Sequence, residues 1–243
     1  MNALDPIHHL LRRLGLRLMR AKNCPRGTDI KLYSDVLAQT QQNGLPFTVL
    51  DVGANHGEFS SEILRSVPEA RVHAFEPSPA VFTLLMSAHK LDTRVTCHQL
   101  ALGTLQGSLP FEPRPDDDKL GRLLHNTSPT AIHVDVTTVD AVLDKLGITH
   151  VALLKTDTEG HELDVLRGAA GSLQEGRISS ILVESTLGPS TDRHISLSAI
   201  SEELQPLGFE LFGVYDMGYD RHTGAMRFCN ALFKHASVSD AFH

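Results

Sequence analysis

The sequence predicts an α/β fold: a seven-stranded, mostly parallel sheet with helices on both faces and a C-terminal antiparallel hairpin. Three observations carry this. Short apolar runs alternate with longer helical stretches from residue 47 to residue 208, the pattern of βα units joined by right-handed crossovers. The first apolar run ends in a glycine-bearing turn, Asp51-Val52-Gly53-Ala54-Asn55-His56-Gly57. The alternation then stops: residues 209–215 and 226–234 are β-rich, and only the turn-rich stretch 216–225 lies between them.

Taken in order, residues 8–22 read as an amphipathic helix, with leucines set among Arg12, Arg13, Arg17, Arg20 and Lys22. Such a helix packs across one end of the domain, serves as a lid, or makes a weak membrane-surface contact. A second helix over 29–42 ends at Asn43-Gly44, and together these fill residues 1–44 ahead of a domain over 45–236. Residues 47–52 form the first buried strand and 57–66 a helix. A strand over 71–76 stops at Pro77, a helix follows over 80–90, and a third strand over 95–102 closes with Gly103. Strands over 151–157 and 178–184 alternate with helices over 159–175 and 198–207, the last closed by Gly208. The stretch 108–138 breaks the rhythm with Pro110, Pro113, Pro115, Asp116 to Asp118 and Pro129. It is expected to be a long excursion with a short hairpin, and long loops in compact domains often contact substrate.

Bulk properties exclude several classes. A length of 243 residues suits one full-sized α/β domain. A formal charge of −7 and the absence of tryptophan argue against nucleic acid, as does the lack of an Asn/Asp-Pro-Pro-Tyr-like tetrapeptide that could stack a flipped base. Cys24, Cys97 and Cys229 are odd in number and widely spaced, which suits a reduced, cytoplasmic chain. Arginines interrupt the apolar character of the N-terminus, and no run approaches a membrane span. The 14 histidines show neither the i, i+4 pairing nor the cysteine partners of a zinc site. A homo-oligomer is compatible with all of this.

The glycine turn stands where open α/β sheets bind ligands, outside the C-terminal ends of the strands. Gly53 and Gly57 permit a tight turn, but Ala54-Asn55 occupies the place of the second glycine of a dinucleotide fingerprint, which disfavours NAD. S-adenosylmethionine asks for different partners. Asp51 can face its amino-acid end, directly or through water, and Glu76 can accept both ribose hydroxyls.

A second cluster, Lys155-Thr156-Asp157-Thr158-Glu159-Gly160-His161-Glu162, ends the fourth strand on the same sheet edge. Such crowding of ionisable groups suggests chemistry. Methyl transfer to a hydroxyl needs alignment and a base, and Asp157 or His161 can serve. A divalent ion held by Asp157 and Glu184 is a second route to an alkoxide, although two carboxylates do not make a metal site. For Glu162 the first-turn position favours the helix dipole, a structural role.

These residues resemble the FkbM family of methyltransferases. The resemblance is carried by VLDVGANHG at 49–57, HAFEPSP at 73–79, QLALG at 99–103 and LLKTDTEGHELDVLRGA at 153–169, with ILVES at 181–185 and CNALF at 229–233. It covers about residues 45–235, and the K-x-D-x-E-G-x-E pattern is its specific part. The resemblance implies a Rossmann-like class I fold, S-adenosylmethionine as donor, and O-methylation of a small-molecule acceptor such as a sugar, glycan or secondary metabolite. It places Asp51, Gly53, Asn55, Gly57, Glu76 and Pro77 around the cofactor, Ala101 or Leu102 near adenine, and Asp157, Glu159 and His161 at the reaction centre. One departure is Ala101-Leu102-Gly103, which lacks the acidic residue that many methyltransferases carry there. The competing reading is a silent domain of the same fold that binds a metabolite or protein partner; the intact cluster at 155–162 speaks against it.

Overall fold

The structure, a computed structural model, describes residues 46–113, 121–124, 129–220 and 222–239. The helices expected over 8–22 and 29–42 lie outside the described residues, as do Pro115 and the acidic run that follows it. The chain first runs β1 (Thr48–Val52), α1 (Glu58–Ser66), β2 (Arg71–Phe75), α2 (Pro79–Ala88) and β3 (Val95–His98). It continues through β4 (Ala101–Leu102), β5 (Gly107–Glu112), β6 (Arg122–Leu123), β7 (Ile132–Thr137) and α3 (Val139–Leu146). Then come β8 (Leu153–Thr156), α4 (Glu162–Arg167), α5 (Ala170–Gln174), β9 (Ser180–Ser185) and α6 (Leu197–Leu204). The last elements are β10 (Phe209–Tyr219), β11 (Met226–His235) and α7 (Ala236–Ser239).

The main sheet has seven strands in the order β10-β11-β9-β8-β1-β2-β3. Pairing is parallel from β9 through β3, and β11 runs antiparallel to both β9 and β10. The chain winds outward from β1 to β3, then returns to the other side of β1 with β8. The strand order therefore reverses between β1 and β8, where open sheets leave a crevice at their C-terminal ends. Asp51 of β1 sits directly opposite Lys155 of β8 in this register.

The apolar runs of the central strands are explained by burial on both faces. In β1, Val49 packs into the core that contains Ile63, Leu64 and Leu85, under α1 and α2. Its neighbour Leu50 packs into the opposite core with Val142, Leu143, Leu166 and Ile200, under α3, α4 and α6. Successive side chains of a strand point to opposite faces, so both must be apolar.

Four features differ from the sequence reading. The expected strand over 95–102 splits: β3 stays in the main sheet, while β4 pairs in parallel with β7. The excursion is more than a hairpin, because β4, β7, β5 and β6 form a second four-stranded sheet. Val134 and Val136 of β7 bury against Ala101, Phe111 and Leu123, a small core that a bare loop would leave wet. The long helix expected over 159–175 begins only at Glu162, because Glu159 and Gly160 adopt φ values of 55° and 104°. It is also interrupted after Arg167, where Gly168 packs on the Gly103 carbonyl so closely that a Cβ would lie 2.0 Å from the oxygen. Finally, α3 was not anticipated, although its signals are present. Thr138 Oγ1 accepts from Ala141 N at 3.1 Å, and Gly147 closes the helix at φ 64°.

Among the described residues no helix is long and apolar enough to cross a membrane. The contact at Gly168 gives a direct test of the joint between the two sheets. Gly168→Ala is expected to cost about 1–3 kcal/mol, the usual range for overpacking. It should be read as a lower urea midpoint at unchanged m-value; an unaltered midpoint would show that this approach is not needed.

Candidate active site

Lys155 is the hub of the crevice. Its Nζ lies 3.2 Å from Asp51 Oδ1 and 3.6 Å from Asp157 Oδ2, and it donates to the Gly53 carbonyl at 3.0 Å. Burial opposes the ammonium, but Asp51 and Asp157 outweigh it and lift the Lys155 pKa above its ordinary value. The ion is therefore fixed in its charged form. Asp51 is fully buried, and its other oxygen accepts from Ser60 Oγ at 2.6 Å, which ties α1 to the strand.

The glycine turn follows from this frame. Gly53 (φ 73°) passes so close to β8 that a Cβ would lie 1.9 Å from the Asp157 carbonyl oxygen. The turn then presents Asn55, itself at φ 49°, to the end of β2. There the Glu76 carboxylate accepts from Asn55 N at 3.1 Å and Ser78 N at 2.8 Å. Burial pushes the Glu76 carboxyl up to about 7 despite these two bonds.

A cavity of about 630 Å³ opens over these strand ends. One end is walled by Gly53, Ala54, Asn55, Glu76, Pro77, Leu100, Ala101 and Leu102, with Phe111 and Leu123 of the second sheet. The other end is walled by Lys155, Asp157, Glu159, Glu184, Arg193, His194, Arg227 and Phe228. Burial drives the Glu184 carboxyl up to about 9, helped by Asp157, Glu159 and Glu162 around it. Glu184 is thus protonated at neutral pH and donates to the Asp157 carboxylate. His194 Nε2 lies 3.5 Å from Glu184 Oε2, and burial holds its pKa below the usual histidine value. Glu159 is taken up by Arg193, 3.0 Å away.

The structure brings together most of the residues singled out from the sequence. Gly53, Asn55, Glu76, Pro77, Ala101, Leu102, Asp157, Glu159 and Glu184 all line one cavity. Three do not. Asp51 stands behind the wall and reaches the cavity only through Lys155. Gly57 faces α2, where a Cβ would lie 2.2 Å from His89 Nε2, so its φ of 82° serves packing rather than ligand approach. His161 was a candidate base, but its Nδ1 is 2.9 Å from Asp164 Oδ2 and its Nε2 is 3.0 Å from the Leu123 carbonyl. It pins the second sheet to α4 from outside the cavity lining. Glu162 also holds structure, accepting from Thr158 N, Thr158 Oγ1 and Gly160 N.

Sequence reasoning missed His194, Arg193 and Arg227. The first two lie on the loop after β9, which carries no motif; the usable signal is that it follows a strand ending in Glu184 on the ligand edge. Among the described residues no group of three or more His, Cys, Asp or Glu is disposed to hold a metal, and the Asp157 and Glu184 carboxyls bond to each other.

The strand order, the reversed hairpin and a cavity at the β1–β8 switch point define a Rossmann-like class I methyltransferase fold. The methyltransferase domain of METTL16 shares it at a TM-score of 0.50 with 14% identity, over 84% of this chain and 64% of that one. Residues 51–211 match the model of the methyltransferase FkbM domain, and the chain belongs to that family. It is 32% identical over 143 residues to Methyltransferase 1 of Beauveria bassiana, covering 49% of this chain and 57% of that protein. It is 27% identical over 159 residues to the hexuronic acid methyltransferase AglP of Haloferax volcanii, covering 64% of this chain and 63% of that protein. The chain thus spans less than two thirds of the length of either relative.

The role of His161 as a latch has a pH signature. Burial opposes its charge, but Asp164 and the Leu123 carbonyl more than compensate and raise its pKa above 6.5. Its stabilising contribution is therefore full below the unfolded value and is lost as pH rises through the raised one. His161→Leu is expected to cost about 1–3 kcal/mol at pH 6 and less at pH 9, by urea denaturation. Equal losses at both pH values would remove the charged latch.

Proposed function

We propose that this chain moves a methyl group from S-adenosylmethionine to a hydroxyl of a small molecule such as a sugar, glycan or secondary metabolite. One observation carries the reading. A single cavity joins the glycine turn and the Glu76 carboxyl to a proton-handling group of Asp157, Glu184 and His194. Membership of a methyltransferase family, and the likeness to a hexuronic acid methyltransferase, support it.

The residues present fit the cofactor. Glu76 is a buried carboxyl at the cavity wall, the right chemistry for two ribose hydroxyls. Leu100, Ala101, Leu102 and Phe111 offer apolar surface for adenine, and the turn backbone at Gly53 and Asn55 offers polar groups for the amino-acid end. Lys155 carries one positive charge against the two carboxylates Asp51 and Asp157, which leaves an excess negative charge to face a cationic sulfur. When bound, S-adenosylmethionine supplies an electrophilic methyl carbon.

The protein aligns the acceptor and takes its proton. His194 is neutral at physiological pH and can accept the hydroxyl proton, and the Asp157 carboxylate favours the imidazolium so formed. Glu184, already protonated, fixes Asp157 rather than competing for the proton. Glu159 acts by holding Arg193 against the wall, and His161 by holding Leu123.

Calorimetry is expected to show binding of S-adenosylmethionine and S-adenosylhomocysteine; a folded protein that binds neither ends this proposal. Ribose hydroxyls favour the ionised form of Glu76, so affinity should rise as pH increases through about 7 and level off above it. Glu76→Gln should flatten that profile and weaken binding about 10- to 100-fold. His194→Ala should lower kcat about 10²- to 10⁴-fold while S-adenosylhomocysteine affinity is kept. Full turnover in that variant would move the base elsewhere.

A further inference from the structure

One cation on the cavity wall stands outside every ion pair among the described residues, and it lies away from the donor end. Among the described lining residues the cations are Arg122, Lys155, Arg193 and Arg227. Arg122 pairs with Asp192 at 3.0 Å, Arg193 with Glu159 at 3.0 Å, and Lys155 with Asp51 and Asp157. Glu184 is protonated and adds no charge at neutral pH. Arg227 makes no hydrogen bond or ion pair among the described residues. It acts electrostatically on Asp220, whose Oδ1 already accepts from His222 N, Thr223 N and Thr223 Oγ1.

We propose that the methyl acceptor carries an oxyanion, a carboxylate or a phosphate, and that Arg227 binds it at the mouth of the cavity. This deepens the reading above and rests on it. The guanidinium presents a planar fork of donors that matches either oxyanion in a two-point contact. Beside it, Phe228 and His194 lie with their rings nearly parallel, 7° apart at 6.1 Å, and both face the cavity as apolar surface for the body of the acceptor.

The carboxylate of the donor itself is not the partner of Arg227. Arg227 belongs to β11, and two strands, β9 and β8, separate β11 from the glycine turn that follows β1. At about 4.8 Å per strand, this puts the arginine backbone roughly 14 Å from the turn in the sheet direction. It stands on the acceptor side, with Glu184 and His194 between.

The test uses the full chain saturated with S-adenosylhomocysteine and titrated with methyl β-D-glucuronide, glucose 6-phosphate and the neutral methyl β-D-glucoside. At least one charged probe is expected to bind ten-fold or more tightly than the neutral one, and the tighter of the two identifies the oxyanion. R227Q should abolish the advantage, and R227K should keep part of it. Neither change should alter S-adenosylhomocysteine affinity, since Arg227 is exposed on the hairpin and away from the turn. Equal binding of all three probes, or an advantage that survives R227Q, overturns the proposal. Failure of S-adenosylhomocysteine to bind strikes the proposed function itself and takes this inference with it.

Discussion

The ammonium of Lys155 is the interaction on which the crevice depends. Burying a charge costs several kcal/mol unless it is well paired, and here three groups at the ends of two adjacent strands supply the pairing. Asp51 supplies one carboxylate from β1, Asp157 supplies another just past β8, and Gly53 supplies a carbonyl from the turn. The lysine therefore fixes the two strand ends between which the sheet order reverses. It also sets the turn that follows them, because Gly53 can pass over β8 only where the Asp157 carbonyl leaves no room for a side chain.

Around that frame, each charged group has a limited task. Glu76 closes the turn from the β2 side by accepting two backbone amides. Glu184 gives up its charge to the crowd of carboxylates and becomes a donor to Asp157. His161 looks reactive in the sequence but spends its ring nitrogens on the Asp164 carboxylate and the Leu123 carbonyl, and Glu162 keeps a structural role by accepting from residues 158 and 160; together they join the second sheet and that loop to α4. The second sheet is thereby held over one end of the cavity, and the loop after β9 is held over the other by Arg193 and by the Arg122–Asp192 pair. That last pair is exposed on one side, so it adds position more than stability.

Much of this was legible in the sequence because its causes are local or periodic. The double-sided burial of β1 writes itself as an uninterrupted apolar run, and the hairpin of β10 and β11 shows as two β-rich runs with no helix between them. The carboxyls that end strands β2, β8 and β9 were recognisable because parallel strands must end on one edge. The division of residues 95–102 between two sheets was not legible, since the choice depends on β7, more than thirty residues later. Nor was it legible which of these two histidines reaches the cavity: His161 sits in the conspicuous pattern but outside the lining, whereas His194 sits in a loop with no pattern and lies in it.

The sequence by itself determined the fold class, the ligand edge and the family, because hydrophobic period and the glycine turn act over a few residues each. Only the tertiary structure decided which ionisable groups face the cavity and in what charge state. Burial and neighbours from distant segments set those states: they keep Lys155 charged, Glu184 protonated and His194 neutral, and among the described residues of the cavity wall they leave Arg227 outside any ion pair. A pKa is a property of surroundings, and surroundings exist only once the chain has folded.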